Sequence, residues 1–230
     1  MTTTADLLVL VDLDGTLVRG NSFHMWLRHM LTDGLRTLAP PARYTNRFVI
    51  FLYSALRLGR LISHARLKRV CQRVWDRALA RSTDPDHELN SFLATLMRRV
   101  DPRISDWVGR AQDGGAVAVL TTAAPGDYAL PLARRLGFDG AITTPHANSE
   151  AWSENLREEK ERNTAAYVRH KGWQDKQTRL FTDHVDDLPL MRAVHEVCLV
   201  ADDATHSAIR QRLNGATRLR TMEQVVGHAG

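Results

Sequence analysis

The run LLVLVDLDGT (residues 7–16) takes an apolar stretch straight into Asp12 and Asp14, with Gly15 and Thr16 behind them. A carboxylate is costly to bury without a partner, so we expect both aspartates to be exposed at a strand tip, where a ligand can meet them. Gly15 lets the backbone come close to such a ligand. Two other apolar runs end in the same manner. GAVAVLTT (115–122) finishes on Thr121 and Thr122, and TRLFTDHVDDLP (178–189) carries Asp183 and Asp187 across a loop into a helix. Carboxylates gathered in one crevice repel one another unless a cation joins them. Oxygen-only donors with room for water suit Mg²⁺ better than zinc. A carboxylate held against such a cation can act as a nucleophile toward phosphorus. Helix N-capping is the competing account of the acids at 183, 186 and 187, and Asp186 is assigned to capping alone.

These groups must be positioned by the elements that precede them. Short apolar runs at 7–14, 115–122, 140–143, 178–182 and 196–200 read as strands, with helical stretches at 125–136, 156–171 and 187–195 between the later ones. Strand–helix–strand repetition predicts an α/β fold with an open, mostly parallel, Rossmann-like sheet. In such sheets ligands bind beyond the carboxyl ends of the strands, where all three polar clusters lie. From Asn21 to about Val100 the pattern is helical only, clearest at Leu67, Val70, Cys71, Val74 and Ala78, with Arg69, Arg73, Arg77 and Arg81 along another stripe. The first strand belongs with the later sheet. Residues 1–19 and 106–230 therefore form the expected α/β core, and 20–105 an all-helical insertion after the first strand. Asp84-Pro85 reads as a helix start, and Asp202-Asp203 lie at the crevice edge.

The chain carries a net charge of +5, unevenly spread: residues 28–81 hold 12 Lys/Arg against Asp33 and Asp76, leaving −5 for the remainder. That basic segment could draw an anionic substrate, although solvated helix faces account for most of its arginines. It lacks the aromatic interleaving of a nucleic-acid surface, and no nucleic-acid partner is expected. Cys71 and Cys198 give neither a disulfide framework nor metal spacing. The start MTTTADLL has no basic n-region or apolar h-region, so a cytoplasmic protein is expected. The longest apolar run, FVIFLYSAL (48–56), is far short of the roughly 20 residues of a spanning helix. It is read as the core of the helical bundle, with an interfacial membrane contact or a dimer face as alternatives. His146, His170, His184 and His195 show no ligand spacing and are given no role.

Taken in order, DLDGT (12–16), VLTTAAP (119–125), NLREEK (155–160) and TDHVDDLP (182–189) resemble the four motifs of the haloacid dehalogenase-like superfamily. The helical insertion resembles the cap of its phosphoserine phosphatase-like branch. The resemblance implies Asp12 as the nucleophile and Asp14 as the acid that protonates the leaving oxygen and then activates water. It implies Thr122 and Lys160 as the groups holding the phosphoryl oxygens. Mg²⁺ would be held by Asp12, the main-chain carbonyl of Asp14 and Asp183, with Asp187 helping through water or by orienting Lys160. Three departures stand out. Thr182-Asp183 replaces the usual Gly-Asp, and Glu158 and Glu159 occupy a stretch that usually holds glycine. The spacing to Lys160 is one residue short, which keeps Lys171 and Lys176 open as substitutes. Either Thr121 or Thr122 could fill the second motif, with Thr122 favoured. Asn21 stands where the phosphoserine enzyme has a glutamate for the substrate's amino group, which argues against phosphoserine. Arg19, Ser22, Phe23 and His24 are candidates for the leaving-group pocket. The expected activity is a Mg²⁺-dependent phosphatase acting on a small phosphorylated metabolite through an aspartyl-phosphate. A phosphotransferase or mutase, or a non-catalytic phosphate- and metal-binding protein, are the alternatives.

Overall fold

The structure is a computed structural model and describes residues 6–213 and 217–226. Six strands form one sheet: β1 (Leu7–Val11), β2 (Val117–Pro125), β3 (Gly140–Thr144), β4 (Gln177–Thr182), β5 (Glu196–Leu199) and β6 (Arg218–Thr221). Their order is β3-β2-β1-β4-β5-β6 and every neighbouring pair is parallel. Parallel pairing requires crossovers that cover both faces of the sheet. Side chains therefore pack on each face in turn. Leu8 and Leu10 join Val119, Leu180 and Val197 in one apolar cluster. Val9 and Val11 join Ala118, Leu120 and Phe181 in the other. This is the α/β architecture expected from the strand-like runs. The sequence RLRT is only four residues long with one apolar side chain, Leu219, so β6 was not anticipated; it forms by pairing along β5.

Between β1 and β2 the chain makes five helices: α1 (Ser22–Leu31), α2 (Pro40–Leu58), α3 (His64–Leu79), α4 (Pro85–Met97) and α5 (Pro102–Asp113). Their starts are written in the sequence. Asn21, Ser63, Asp84 and Asp101 each accept a backbone N–H at an N-terminus, and proline follows directly after the last two. The remaining helices are α6 (Gly126–Arg135), α7 (Glu158–His170), α8 (Leu188–Arg192), α9 (Asp203–Arg210) and α10 (Met222–Val226). Asp202 is the N-cap of α9, accepting from the Thr205 amide.

The apolar run at 48–56 is not bundle core as expected. Phe48 and Phe51 are each 63% exposed, and Ile50 is the residue of α2 that is fully buried. A helix lying against α1 and α3 can bury one face, and Val49, Ile50 and Tyr53 occupy it. Because the run is apolar all round, its periodicity could not say which half faces out. The helical segment is nevertheless joined to the sheet. Tyr128 of α6 stacks edge-on against Trp26 of α1 and Phe92 of α4, with ring centroids 5.2 and 5.1 Å away. Its hydroxyl also meets the Ser22 hydroxyl at 2.9 Å.

Candidate active site

The strand order reverses direction at β1, which runs between β2 and β4. Crevices in such sheets open at that point, beyond the carboxyl ends of the strands. A cavity of about 460 Å³ lies there, lined by Asp12, Asp14, Thr122, Lys160, Asp183 and Asp187. Helices α1 and α3 add Phe23, His64 and Lys68 to its wall.

Asp12 follows β1, and its amide extends the ladder to the Phe181 carbonyl at 2.9 Å. Its side chain is not exposed as expected: the residue is 8% accessible. The reason is Lys160, in the first turns of α7, whose ammonium donates to Asp12 Oδ1 at 2.7 Å. The same ammonium donates to both Asp187 oxygens at 2.8 Å. Thr182 Oγ1 completes the group by donating to Asp187 Oδ2 at 2.6 Å. Burial alone would push the lysine down, but the two carboxylates outweigh it and hold Lys160 above its ordinary value. Burial likewise pushes the Asp12 carboxyl up, against the pull of Lys160.

Asp14 turns away from the strand, and its Oδ1 accepts the Ser22 amide at 2.5 Å at the start of α1. Burial raises its carboxyl, and the bonds from Ser22 oppose that rise. Gly15 makes this turn possible for two separate reasons. Its φ is +74°, which side chains with a Cβ rarely adopt, and a Cβ there would lie 1.9 Å from Asp183 Oδ2. Asp183 accepts a long bond of 3.4 Å from Thr16, and burial lifts its carboxyl to about 6.

The pleat of β2 separates the two threonines, since neighbours point to opposite faces. Thr122 lines the cavity, where its hydroxyl accepts the Ala124 amide at 3.0 Å. Thr121 faces α7 and meets the Thr164 hydroxyl at 3.1 Å. Of the three candidate lysines, Lys160 reaches the aspartates; Lys171 lies over the Tyr167 ring instead, 5.6 Å from its centroid. Asp186 does not serve as the expected N-cap. Its carboxylate pairs with Arg157 at 2.9 Å and with His184 at 3.4 Å, and its amide donates to His184 Nδ1. Asn21 caps α1 by accepting the His24 amide at 2.9 Å, while also lining the cavity. Arg19 pairs with Asp101, 3.5 Å away.

The sequence reading missed a second charged group across the cavity. Lys68 is buried, donates to the Ala123 carbonyl at 2.8 Å, and pairs with Glu154. His64 Nδ1 reaches the same Glu154 oxygen at 3.2 Å, and its ring meets Phe23 edge-on at 5.1 Å. Burial would raise the Glu154 carboxyl, but bonding to His64 and the charge of Lys68 hold it down at about 2. Lys68 itself is pushed down by burial, against the pull of Glu154. One signal was available: Lys68 is the single lysine among the basic residues of 28–81, all others being arginine. Its partner, 86 positions away, carried none. Outside the cavity, Asp76, Asp127 and His146 bring ligand atoms within 4.8 Å of one another. Burial and the neighbouring Asp127 push Asp76 up to about 6.

The sequence model of the haloacid dehalogenase-like hydrolases matches residues 9–192, from β1 through the Asp183/Asp187 loop. The chain belongs to the haloacid dehalogenase-like hydrolase family. No curated protein matches its sequence significantly. Solved structures share the fold of this family member. A Bordetella pertussis Tohama I protein of unknown function is 18% identical, with a TM-score of 0.67 over 94% of this chain and 98% of that one. A probable phosphoserine phosphatase from Vibrio cholerae is 12% identical, with a TM-score of 0.63 over 90% of this chain and 59% of the other. A phosphoserine phosphatase solved as a phospho-aspartyl intermediate analogue is 12% identical, with a TM-score of 0.53 over 97% and 98% of the two chains. The fold is thus that of the phosphoserine phosphatase-like members of the haloacid dehalogenase-like hydrolases.

Proposed function

We propose that this hydrolase is a Mg²⁺-dependent phosphatase that cleaves a small phosphorylated metabolite through an aspartyl-phosphate on Asp12. The observation that carries the reading is the contact of Asp12 with a buried Lys160 beside Asp14, in a cavity at the strand switch point. Asp12, Asp14, Asp183 and Asp187 face that end of the cavity with the one ammonium of Lys160 among them. A phosphate dianion does not approach such an excess of carboxylate unaided. The oxygen-only donor set and the weakly bonded Asp183 fit a hard divalent cation. Asp12, the main-chain carbonyl of Asp14 and Asp183 would hold it. When bound, Mg²⁺ supplies charge neutralisation at the phosphoryl oxygens.

The chain's own groups supply the rest. An Asp12 oxygen attacks phosphorus as the bond to the leaving oxygen breaks, and Asp14 gives its proton to that oxygen. A carboxyl raised by burial and fixed by the Ser22 amide suits a proton carrier. Asp14 then takes a proton from water as the water oxygen attacks phosphorus. The Asp12–phosphorus bond breaks, and phosphate leaves. Lys160 and the Thr122 hydroxyl hold the phosphoryl oxygens as charge shifts between them. Residues 20–105 act as a cap on a core of residues 1–19 and 106–230, and supply Phe23, His64 and Lys68 as the leaving-group wall. We place the enzyme in the cytoplasm.

The test is phosphate release from a panel of phosphorylated metabolites, with Mg²⁺ and with EDTA. Metal-dependent release from one compound class supports the reading and names the substrate. No release from the folded, Mg²⁺-supplied protein, alone or with an alcohol acceptor present, would overturn it.

A further inference from the structure

We propose that the outer face of α2 is a docking surface for an anionic membrane, on which the protein sits peripherally. The exposed stripe of this helix is apolar where a surface helix is normally polar. Tyr44, Phe48, Phe51, Leu52 and Leu58 follow one another at helical spacing along it, and Leu61 continues it just beyond the C-terminus. Leu58 is 85% exposed and Leu61 74%. Thr45 and Ala55 fill the remaining exposed positions between Tyr44 and Leu58, so no charged side chain interrupts the stripe. At 1.5 Å per residue it extends about 20 Å in a straight line. Scattered single apolar residues on a surface need no account, but a contiguous patch with a defined rim does.

The rim decides the occupant. From Gly34 to Trp75 the chain has nine Lys/Arg and no Asp or Glu. Arg60 and Arg66 are exposed, and Arg43 and Arg57 are half-buried at the flanks of α2, whereas Arg36 pairs with Asp33 at 3.1 Å and is not counted in the rim. A second copy of this chain would set one basic rim against another, with no acid from this segment to pair with either. An anionic headgroup layer complements it: aromatic and leucine side chains enter the interface while arginines meet lipid phosphates. The face is also held outward. The Arg47 guanidinium donates to the Thr32 and Gly34 carbonyls, at 3.0 Å to the latter, and so ties α2 to the end of α1. No helix among the described residues is long and apolar enough to cross a membrane, so the contact is one of lying on the surface.

The experiment is co-sedimentation of the full chain with vesicles of equal parts phosphatidylglycerol and phosphatidylcholine, and with vesicles of phosphatidylcholine alone. Light scattering of the free protein runs in parallel. We expect binding to the anionic vesicles, weakened about tenfold or more by molar salt, by omission of phosphatidylglycerol, or by the double substitution Phe48→Ser/Phe51→Ser. Circular dichroism of the double variant should match the wild type, because both side chains face solvent. Absence of binding by the folded wild type would overturn the proposal, and so would binding that the double substitution leaves unchanged. Equal binding to neutral vesicles would overturn it too, because the partner proposed is an anionic surface. A dimer that the double substitution splits, with no vesicle binding, would assign the face to a second copy and overturn it as well.

Discussion

Two buried lysines face each other across one cavity, and their surroundings differ. Lys160 touches two carboxylates, Asp12 and Asp187, and is held above its ordinary pKa. Lys68 touches one, Glu154, which it shares with His64, and burial keeps it below its ordinary value. The carboxylates of the first group follow β1 and β4, adjacent strands in fixed register. The second group joins α3 to the loop before α7, so it exists only where the helical segment meets the sheet. The first holds its own carboxylates in place and, in the proposed mechanism, a phosphoryl oxygen as well. The second carries a cation balanced by one carboxylate, and in the proposed mechanism it stands on the leaving-group side.

The comparison can be tested by removing one member at a time. Asp12→Asn should lower phosphate release by at least about 10³-fold with the circular dichroism spectrum intact, because the proposed mechanism makes Asp12 the nucleophile. Turnover at the wild-type rate in that variant would end the covalent mechanism. Lys160→Ala should cut kcat by about 10²-fold or more. It should also destabilise the fold by about 3–5 kcal/mol in urea titration, since two buried carboxylates lose their cation. Lys68→Met should act chiefly on KM, by about tenfold, with kcat held within a few-fold. An equal loss in kcat would place Lys68 with the chemistry and erase the distinction between the two lysines.

The smallest effect concerns another carboxylate contact between α3 and the sheet side, Asp76 with Asp127. A carboxyl raised to about 6 favours folding below its unfolded pKa near 3.8, and that contribution is lost as pH rises through 6. Asp76→Asn should therefore gain Tm relative to the wild type between pH 4.5 and 7.5. A gap independent of pH would mean that Asp76 titrates alike in the folded and unfolded chain.

Much of this site was legible because strands write their ends plainly. A buried parallel strand is continuously apolar, so Asp12, Thr122 and Asp183 are marked by the point where that run stops. Which of Thr121 and Thr122 lines the cavity depends on the pleat of β2, which the apolar run itself does not reveal. The burial of Asp12 was not legible, because it depends on a lysine 148 positions away. The Lys68–Glu154–His64 group was hidden for the same reason: two elements distant in sequence create it only by meeting. The outward face of α2 was misread because a run apolar on every side has no phase. The strand β6 was missed because an edge strand with two arginines pairs through its backbone and leaves little in its side chains to find.

Tyr128 has a consequence for how the molecule comes apart. It rises from α6, beside the sheet, yet its ring stands among Trp26 and Phe92 and its hydroxyl on Ser22. One aromatic interior thus straddles the line between residues 20–105 and the rest, and neither side can loosen alone without wetting it. Heating should give a single cooperative transition, with matching calorimetric and van't Hoff enthalpies.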